Sequence, residues 1–152
     1  MNSIDHVFYI NLDRRKDRKE HIEKNVLPFI GIPTKKIYRF PAVDMTKEPS
    51  RSKRGAGCSL SHLKCWQIAE KNNYEVIMMI EDDFELIVEQ DEFAETLKKL
   101  FDQLPNFVIC NLGYNNIAPL REIKNKDFFR CDQIQTTSCY IAKVSFLKEI
   151  TP

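Results

Sequence analysis

The chain has 152 residues and a mass of 17.9 kDa, which is the size of one domain. Hydrophobic residues make up 43% of the sequence, enough to build a sizeable core. The 23 Lys and Arg residues nearly balance the 22 Asp and Glu residues, and the net charge of +1 excludes a general nucleic-acid binder, which carries a clear basic excess. We therefore expect a single domain over residues 1–152 and no nucleic-acid partner.

The sequence shows no sign of membrane insertion or export. Its first residues lack the basic start and apolar stretch of a signal peptide. The longest apolar run, residues 76–80, is far shorter than the roughly 20 residues of a membrane helix. Five cysteines without a CxxC pair are typical of reduced thiols that pack as small hydrophobes. We expect a cytoplasmic protein without a transmembrane segment.

Apolar runs and helical stripes alternate along the chain. Strands are predicted over residues 7–11, 37–40, 76–80, 107–110 and 138–142. Helices are predicted over residues 14–27, 58–71 and 92–104, and from Ser145 onward, with Asp13 and Ser59 as caps of the first two and Pro28 ending the first. Residues 45–57 are polar and aperiodic, which predicts a mobile loop that closes over a ligand, and residues 113–133 are predicted to be irregular.

This alternation predicts an α/β domain with a largely parallel sheet flanked by helices. Ligands of such sheets bind at the carboxyl ends of the strands. Three predicted strand ends carry polar groups: Asn11-Leu12-Asp13, Val43-Asp44 and Glu81-Asp82-Asp83. Their coincidence is the first indication of a functional site.

The acidic triplet is the strongest single feature. Side-chain alternation along a strand places Glu81 and Asp83 on one face and Asp82 on the other. Two converging carboxylates suit Mg²⁺ or Mn²⁺, ions that complete their coordination with water and phosphate. An acidic cluster after an apolar strand is also typical of a solvated turn, and the triplet alone does not decide between the two.

Basic residues cluster at the start of the first predicted helix, and a histidine lies near the start of the second. Arg14, Arg15 and Arg18 could receive a diphosphate, or could line a solvated helix face. His62 lies one turn before Trp66, a position typical of a packed structural residue as well as of a site residue. No histidine or cysteine pair has the spacing of a zinc site, and neither a Walker loop nor a GxGxxG motif is present.

Four ordered blocks of the sequence resemble the motifs of the family-25 glycosyltransferases, which include lipooligosaccharide and collagen galactosyltransferases. They are Tyr9-Ile10-Asn11-Leu12-Asp13-Arg14-Arg15-x-x-Arg18, Pro41-Ala42-Val43-Asp44, Gly57-Cys58-x-Leu60-Ser61-His62-x-x-x-Trp66 and Ile80-Glu81-Asp82-Asp83. A weaker fifth block is Thr136-Thr137-x-x-Tyr140-Ile141. The blocks extend over nearly the whole chain, so the resemblance is specific.

The resemblance implies a GT-A-like fold and an inverting transfer of a hexose, most often galactose, from a UDP-sugar to a saccharide or hydroxylated acceptor. It implies Mn²⁺ or Mg²⁺ held by Glu81 and Asp83, and donor binding by Asn11, Leu12, Asp13, Arg14, Arg15, Arg18, Asp44, Ser61, His62 and Asp82. For His62 we expect a supporting hydrogen bond, to the donor or to a neighbouring carboxylate, because the positive end of a helix dipole disfavours imidazolium.

Family members usually continue well past this length, so the resemblance also implies that the C-terminal part of the family fold is missing. The general base is then unassigned, and a shortened sheet offers an edge that could pair with another chain. Three functions stay open at this point: a glycosyltransferase, a nucleotide-sugar-binding module without turnover, and a structural or interaction domain.

Overall fold

The computed structural model of the chain describes residues 3–113, 115, 117–125 and 127–150. Its centre is a five-stranded sheet made of β1 (His6–Asn11), β2 (Ile37–Pro41), β3 (Val76–Glu81), β4 (Ile109–Gly113) and β7 (Cys139–Lys143). Two further strands, β5 (Arg121–Glu122) and β6 (Phe129–Arg130), form a short hairpin within the segment that the sequence predicts to be irregular.

The sheet has the strand order β2-β1-β3-β7-β4. Strand β1 pairs in parallel with β2 and β3, whereas β7 runs antiparallel to both of its neighbours. Four strands therefore point the same way, and their carboxyl ends meet at one edge. This arrangement confirms the predicted α/β fold with a mostly parallel sheet and agrees with a GT-A-like architecture.

The first helical segment differs from the prediction at both ends. It consists of α1 (Lys16–His21), a π-helical turn (Ile22–Val26) and α2 (Leu27–Ile30). Asp13 does not cap it, since Arg15 precedes the first turn and no side chain caps that turn. Pro28 does not end it either, because a proline in the first turn of α2 loses no helical hydrogen bond; the segment ends at Gly31, whose φ is 64°.

Helix α3 (Arg51–Lys71) corrects the predicted loop over residues 45–57. Residues 51–57 of the predicted loop belong to the helix, and Ser59 lies in the helix interior rather than at a cap. Gly57 looked like a loop glycine, but it allows helix α3 to lie close to the segment that contains Val43. A Cβ built at this position would lie 2.5 Å from the Val43 carbonyl oxygen. The hypothesis of a mobile lid over this whole range is therefore wrong.

Both faces of the sheet are covered by helices. One face packs on the π-helical turn, α2 and α4 (Gln90–Gln103), and the other on α3 and α5 (Val144–Ile150). Strand residues alternate between the two cores, as Met78 and Met79 show, which explains why the strands read as continuous apolar runs. All five cysteines are free thiols. Among the described residues, none of the helices combines the length and apolar character needed to cross a bilayer.

Candidate functional site

A cleft opens at the carboxyl ends of β1, β2 and β3, where the sequence predicts a site. Its volume is about 220 Å³. The lining residues that the sequence analysis selected are Leu12, Arg18, Asp44, Ser61, Glu81 and Asp82. The three polar strand ends, which are far apart in the sequence, thus meet at one place because parallel strands end at the same edge of the sheet.

A hydrogen-bonded network links the ends of β1 and β3. The Asn11 side chain donates to the Asp82 carboxylate over 2.7 Å and to the Arg15 carbonyl oxygen over 3.0 Å. One guanidinium nitrogen of Arg18 donates to both Asp82 and Asp83, each over 2.9 Å. Asp82 is buried, and these two donors compensate the loss of hydration of its charge.

Arg39 on β2 completes this network and was missed in the sequence analysis. Its guanidinium donates to the Asn11 side-chain oxygen over 3.0 and 2.8 Å, and to Asp13 over 2.6 Å. The Asn11 amide is therefore fully engaged within the protein, so it holds its neighbours in place. The sequence did contain a signal for Arg39. It is a charged residue inside an otherwise apolar strand, and the neighbouring strand ends in asparagine.

The remaining residues of the first motif lie at the exposed rim. Arg14 donates to Asp44 over 3.2 Å. The hydroxyl and backbone N–H of Thr46 donate to the other oxygen of Asp44, and these bonds, with Arg14, lower the pKa of Asp44 to about 2. The Arg15 side chain instead pairs with Asp17.

Ser61 joins α3 to the segment after β2. Its buried hydroxyl accepts a hydrogen bond from the Val43 backbone N–H over 2.9 Å and donates to the Gly57 carbonyl oxygen over 2.7 Å. Both bonds are internal, and the first fixes the wall of the cleft against the helix. Gly57 allows the same close contact by having no side chain.

His62 lies in a chain of hydrogen bonds that runs from the core to the cleft. The indole N–H of Trp66 donates to the Tyr140 hydroxyl over 2.7 Å, this hydroxyl lies 2.9 Å from His62 Nδ1, and His62 Nε2 lies 3.1 Å from Glu81. Burial raises the pKa of Tyr140 well above its usual value, so the hydroxyl stays protonated. An ionised carboxylate can only accept, so Nε2 is the donor in its contact with Glu81. His62 thus contacts a neighbouring carboxylate, which is one of the two partners that the sequence analysis expects for it.

The acidic triplet is arranged differently from a continued strand. Strand β3 ends at Glu81, and the next two residues form a turn in which the Phe84 N–H donates to the Glu81 carbonyl oxygen. Side-chain alternation therefore stops: Asp82 and Asp83 share Arg18, while Glu81 faces α3. The hydrogen bond from His62 is the main cause that lowers the pKa of Glu81.

Cys58 is the second residue that the sequence analysis left outside the site. Its thiol lies at the cleft wall and donates to Glu81 over 3.5 Å. Burial and then the charge of Glu81 raise the pKa of this thiol to about 11, with a smaller contribution from Asp83. The four-residue spacing of Cys58 and His62, one turn of a helix, was the missed signal.

The chain is similar to known proteins over most of its length. The model of the family described as "Glycosyltransferase family 25 (LPS biosynthesis protein)" matches residues 4–145. A curated protein of Haemophilus influenzae, named "Putative glycosyltransferase", is 25% identical over 146 residues, covering 78% of this chain. The match covers 50% of that relative, so the chain spans about half its length.

Proposed function

Since the chain belongs to glycosyltransferase family 25, we propose that it transfers a hexose from a nucleotide sugar bound in the cleft. The proposed donor is a UDP-sugar, with galactose as the first sugar to test, and the transfer inverts the anomeric centre. The acceptor is a saccharide or a hydroxylated side chain. The family description names LPS biosynthesis, which makes lipopolysaccharide sugars the first acceptors to test.

The observation that carries this proposal is the meeting of cations and carboxylates at the carboxyl edge of the sheet. Arg18, Asp44 and Asp82 line the cleft. Arg14 and Asp83 lie beside it, Arg14 paired with Asp44 and Asp83 with Arg18. A nucleoside diphosphate needs cations for its phosphates and hydrogen-bond acceptors for its ribose and base. A structural domain would have no need to collect so many charged groups at a single strand edge.

A divalent cation fits the chemistry of this cleft. Glu81 and Asp83 offer the hard carboxylate oxygens that Mn²⁺ and Mg²⁺ prefer, and about half of the Asp83 side chain is exposed, at 47%. We propose these two residues as its ligands from the family resemblance, because β3 ends at Glu81 and strand alternation does not bring the two carboxylates together. When bound, the ion would neutralise the charge that develops on the departing diphosphate.

The other residues then divide into two groups. Asn11 and Ser61 use their polar atoms within the protein and position the walls of the cleft. Arg18 bridges two carboxylates, and a cation at Asp83 would release part of its guanidinium for a phosphate oxygen. Arg14 lies at the exposed rim and is the second candidate to contact the diphosphate.

The alternative is a nucleotide-sugar-binding module without turnover, which the half-length match to the relative keeps open. The two functions differ in whether UDP is released. The assay follows UDP release from UDP-galactose and UDP-glucose with Mn²⁺, with and without lipopolysaccharide-derived acceptors. We expect acceptor-dependent release that Asp83→Ala abolishes. The matched control is Asp102→Ala, which removes an exposed carboxylate from α4 and should leave release unchanged.

Donor binding without release in any of these mixtures would support the binding module instead. Release that is the same in Asp83→Ala and wild type would refute the proposed metal ligand. Release without any divalent cation would contradict metal dependence while leaving glycosyl transfer in place.

A further inference from the structure

Cys58, His62 and Glu81 form a compact cluster of three metal-binding side chains in the cleft wall. One ligand atom from each residue lies within 4.8 Å of the other two. His62 Nε2 lies 3.1 Å from the Glu81 carboxylate, and Cys58 Sγ lies 3.5 Å from the same oxygen. We propose that these three residues bind a zinc-class transition metal, in a site that shares only Glu81 with the proposed Mn²⁺ site.

The separations agree with tetrahedral zinc coordination. Usual Zn–N, Zn–O and Zn–S distances and a tetrahedral angle place ligand N and O atoms about 3.4 Å apart, and S and O atoms about 3.6 Å apart. The two separations given above differ from these values by only a few tenths of an ångström. The third separation, from Cys58 Sγ to the His62 ring nitrogen, is within 4.8 Å, so the side chains must adjust to admit the ion.

The elements that hold the three residues are rigid. Cys58 and His62 are one helical turn apart on α3, so their side chains emerge from the same face. Glu81 is the last residue of β3, which has a paired strand on each side. A thiolate and a carboxylate would supply two negative charges, matching the charge of the ion, and a thiolate with an imidazole favours zinc over magnesium.

The surroundings of His62 provide the support that a metal-bound imidazole requires. With Nε2 on the metal, Nδ1 must carry the proton and donate it to a second partner. The Tyr140 hydroxyl lies 2.9 Å from Nδ1 and has two lone pairs, one of which already accepts from Trp66. Cys58 and Glu81 line the open cleft, which gives the ion a route in and leaves a coordination position for water or substrate.

The inference goes beyond the proposed function, because the site needs no nucleotide. It also has a consequence for that function: zinc would occupy Glu81, one of the two proposed Mn²⁺ ligands. Zinc is therefore expected to inhibit Mn²⁺-dependent donor binding.

Cobalt spectroscopy tests the site on the metal-free protein, kept reduced with a phosphine, without nucleotide. We expect Co²⁺ to give a thiolate-to-cobalt charge-transfer band and zinc to displace it at one equivalent. Cys58→Ser should remove the band and weaken zinc binding, measured by competition with a chromophoric chelator, by at least about tenfold. Cys131→Ser, at a thiol in another part of the chain, is the matched control and should retain both signals.

Two further variants separate this site from the donor site. His62→Asn should weaken zinc binding while circular dichroism shows the native fold, and Asp83→Ala should leave the cobalt band intact even if it abolishes nucleotide binding. The absence of a thiolate–cobalt band in the wild type, or its persistence in Cys58→Ser, would overturn the inference. The three residues would then form only a hydrogen-bonded cluster.

Discussion

Replacing Tyr140 with phenylalanine removes one hydroxyl from the hydrogen-bond chain behind the cleft. The residue is 1% exposed, and its hydroxyl is the shared partner of the Trp66 indole N–H and His62 Nδ1. Leaving a buried polar group without its partner costs about 1–3 kcal/mol. Two groups lose a partner here and Trp66 is only partly buried, so we expect Tyr140→Phe to lower the free energy of unfolding by about 2–4 kcal/mol.

Urea unfolding followed by circular dichroism measures this loss. With a slope of about 2 kcal/mol per molar urea, the midpoint should fall by about 1–2 M. Tyr38→Phe is the matched control, because that side chain is 46% exposed and its change should stay within about 0.5 kcal/mol. Equal midpoints for the two variants would refute the hydrogen-bond chain.

A double-mutant cycle identifies which partner carries the effect. If the Trp66 indole depends on the Tyr140 hydroxyl, Trp66→Phe and Tyr140→Phe should couple by about 0.5–3 kcal/mol. Additive losses would mean that the indole and the hydroxyl contribute independently, contrary to the 2.7 Å contact between them.

Three further predictions follow from the contacts around the cleft. Gly57→Ala should destabilise the fold, by up to about 2 kcal/mol after the gain in helix propensity, because its Cβ would lie 2.5 Å from a carbonyl oxygen; Ser59→Ala on the same helix should not. Arg18→Ala should lower the free energy of unfolding in urea by about 1–3 kcal/mol, because the buried Asp82 carboxylate loses a hydrogen-bond partner. Arg14→Ala removes an exposed ion pair and should lower it by less than about 1 kcal/mol. The folded protein lowers the pKa of Glu81 from 4.5, so ionised Glu81 stabilises the fold above that pH. This stabilisation is lost as the pH falls through the lower pKa of the folded state. The free energy of unfolding should therefore fall less steeply below pH 4.5 in Glu81→Gln than in the wild type.

The fold could be predicted from the sequence where apolar runs and turns are local signals. Strands β1, β2, β3 and β7 and helix α4 lie within a few residues of their predicted positions. The first turns of α3 could not be predicted in this way, because Gly57 and its polar neighbours read as a loop while the contact with the Val43 carbonyl is long-range. The sequence analysis placed the end of the first helix at Pro28, although this proline lies in the first turn of α2. The sequence alone does not distinguish a proline in the first turn of a helix from one that follows the last turn.

The site could be located from the sequence but its contacts could not. Motif order and strand ends together led to the edge of the sheet at which the cleft lies. Strand alternation failed at Asp82 and Asp83 because β3 ends at Glu81 and a turn follows. Arg39 and Cys58 were missed because the partners that reveal them, Asn11 and Glu81, are distant in the sequence.

The central claim is that the cleft binds a nucleoside diphosphate with a divalent cation, and calorimetric titration of the whole chain with UDP tests it most directly. We expect saturable binding with Mn²⁺ present, strong weakening in its absence, and loss in Asp83→Ala but not in Asp102→Ala. No heat of binding with Mn²⁺ and UDP together, or undiminished binding in a folded Asp83→Ala variant, would contradict the account.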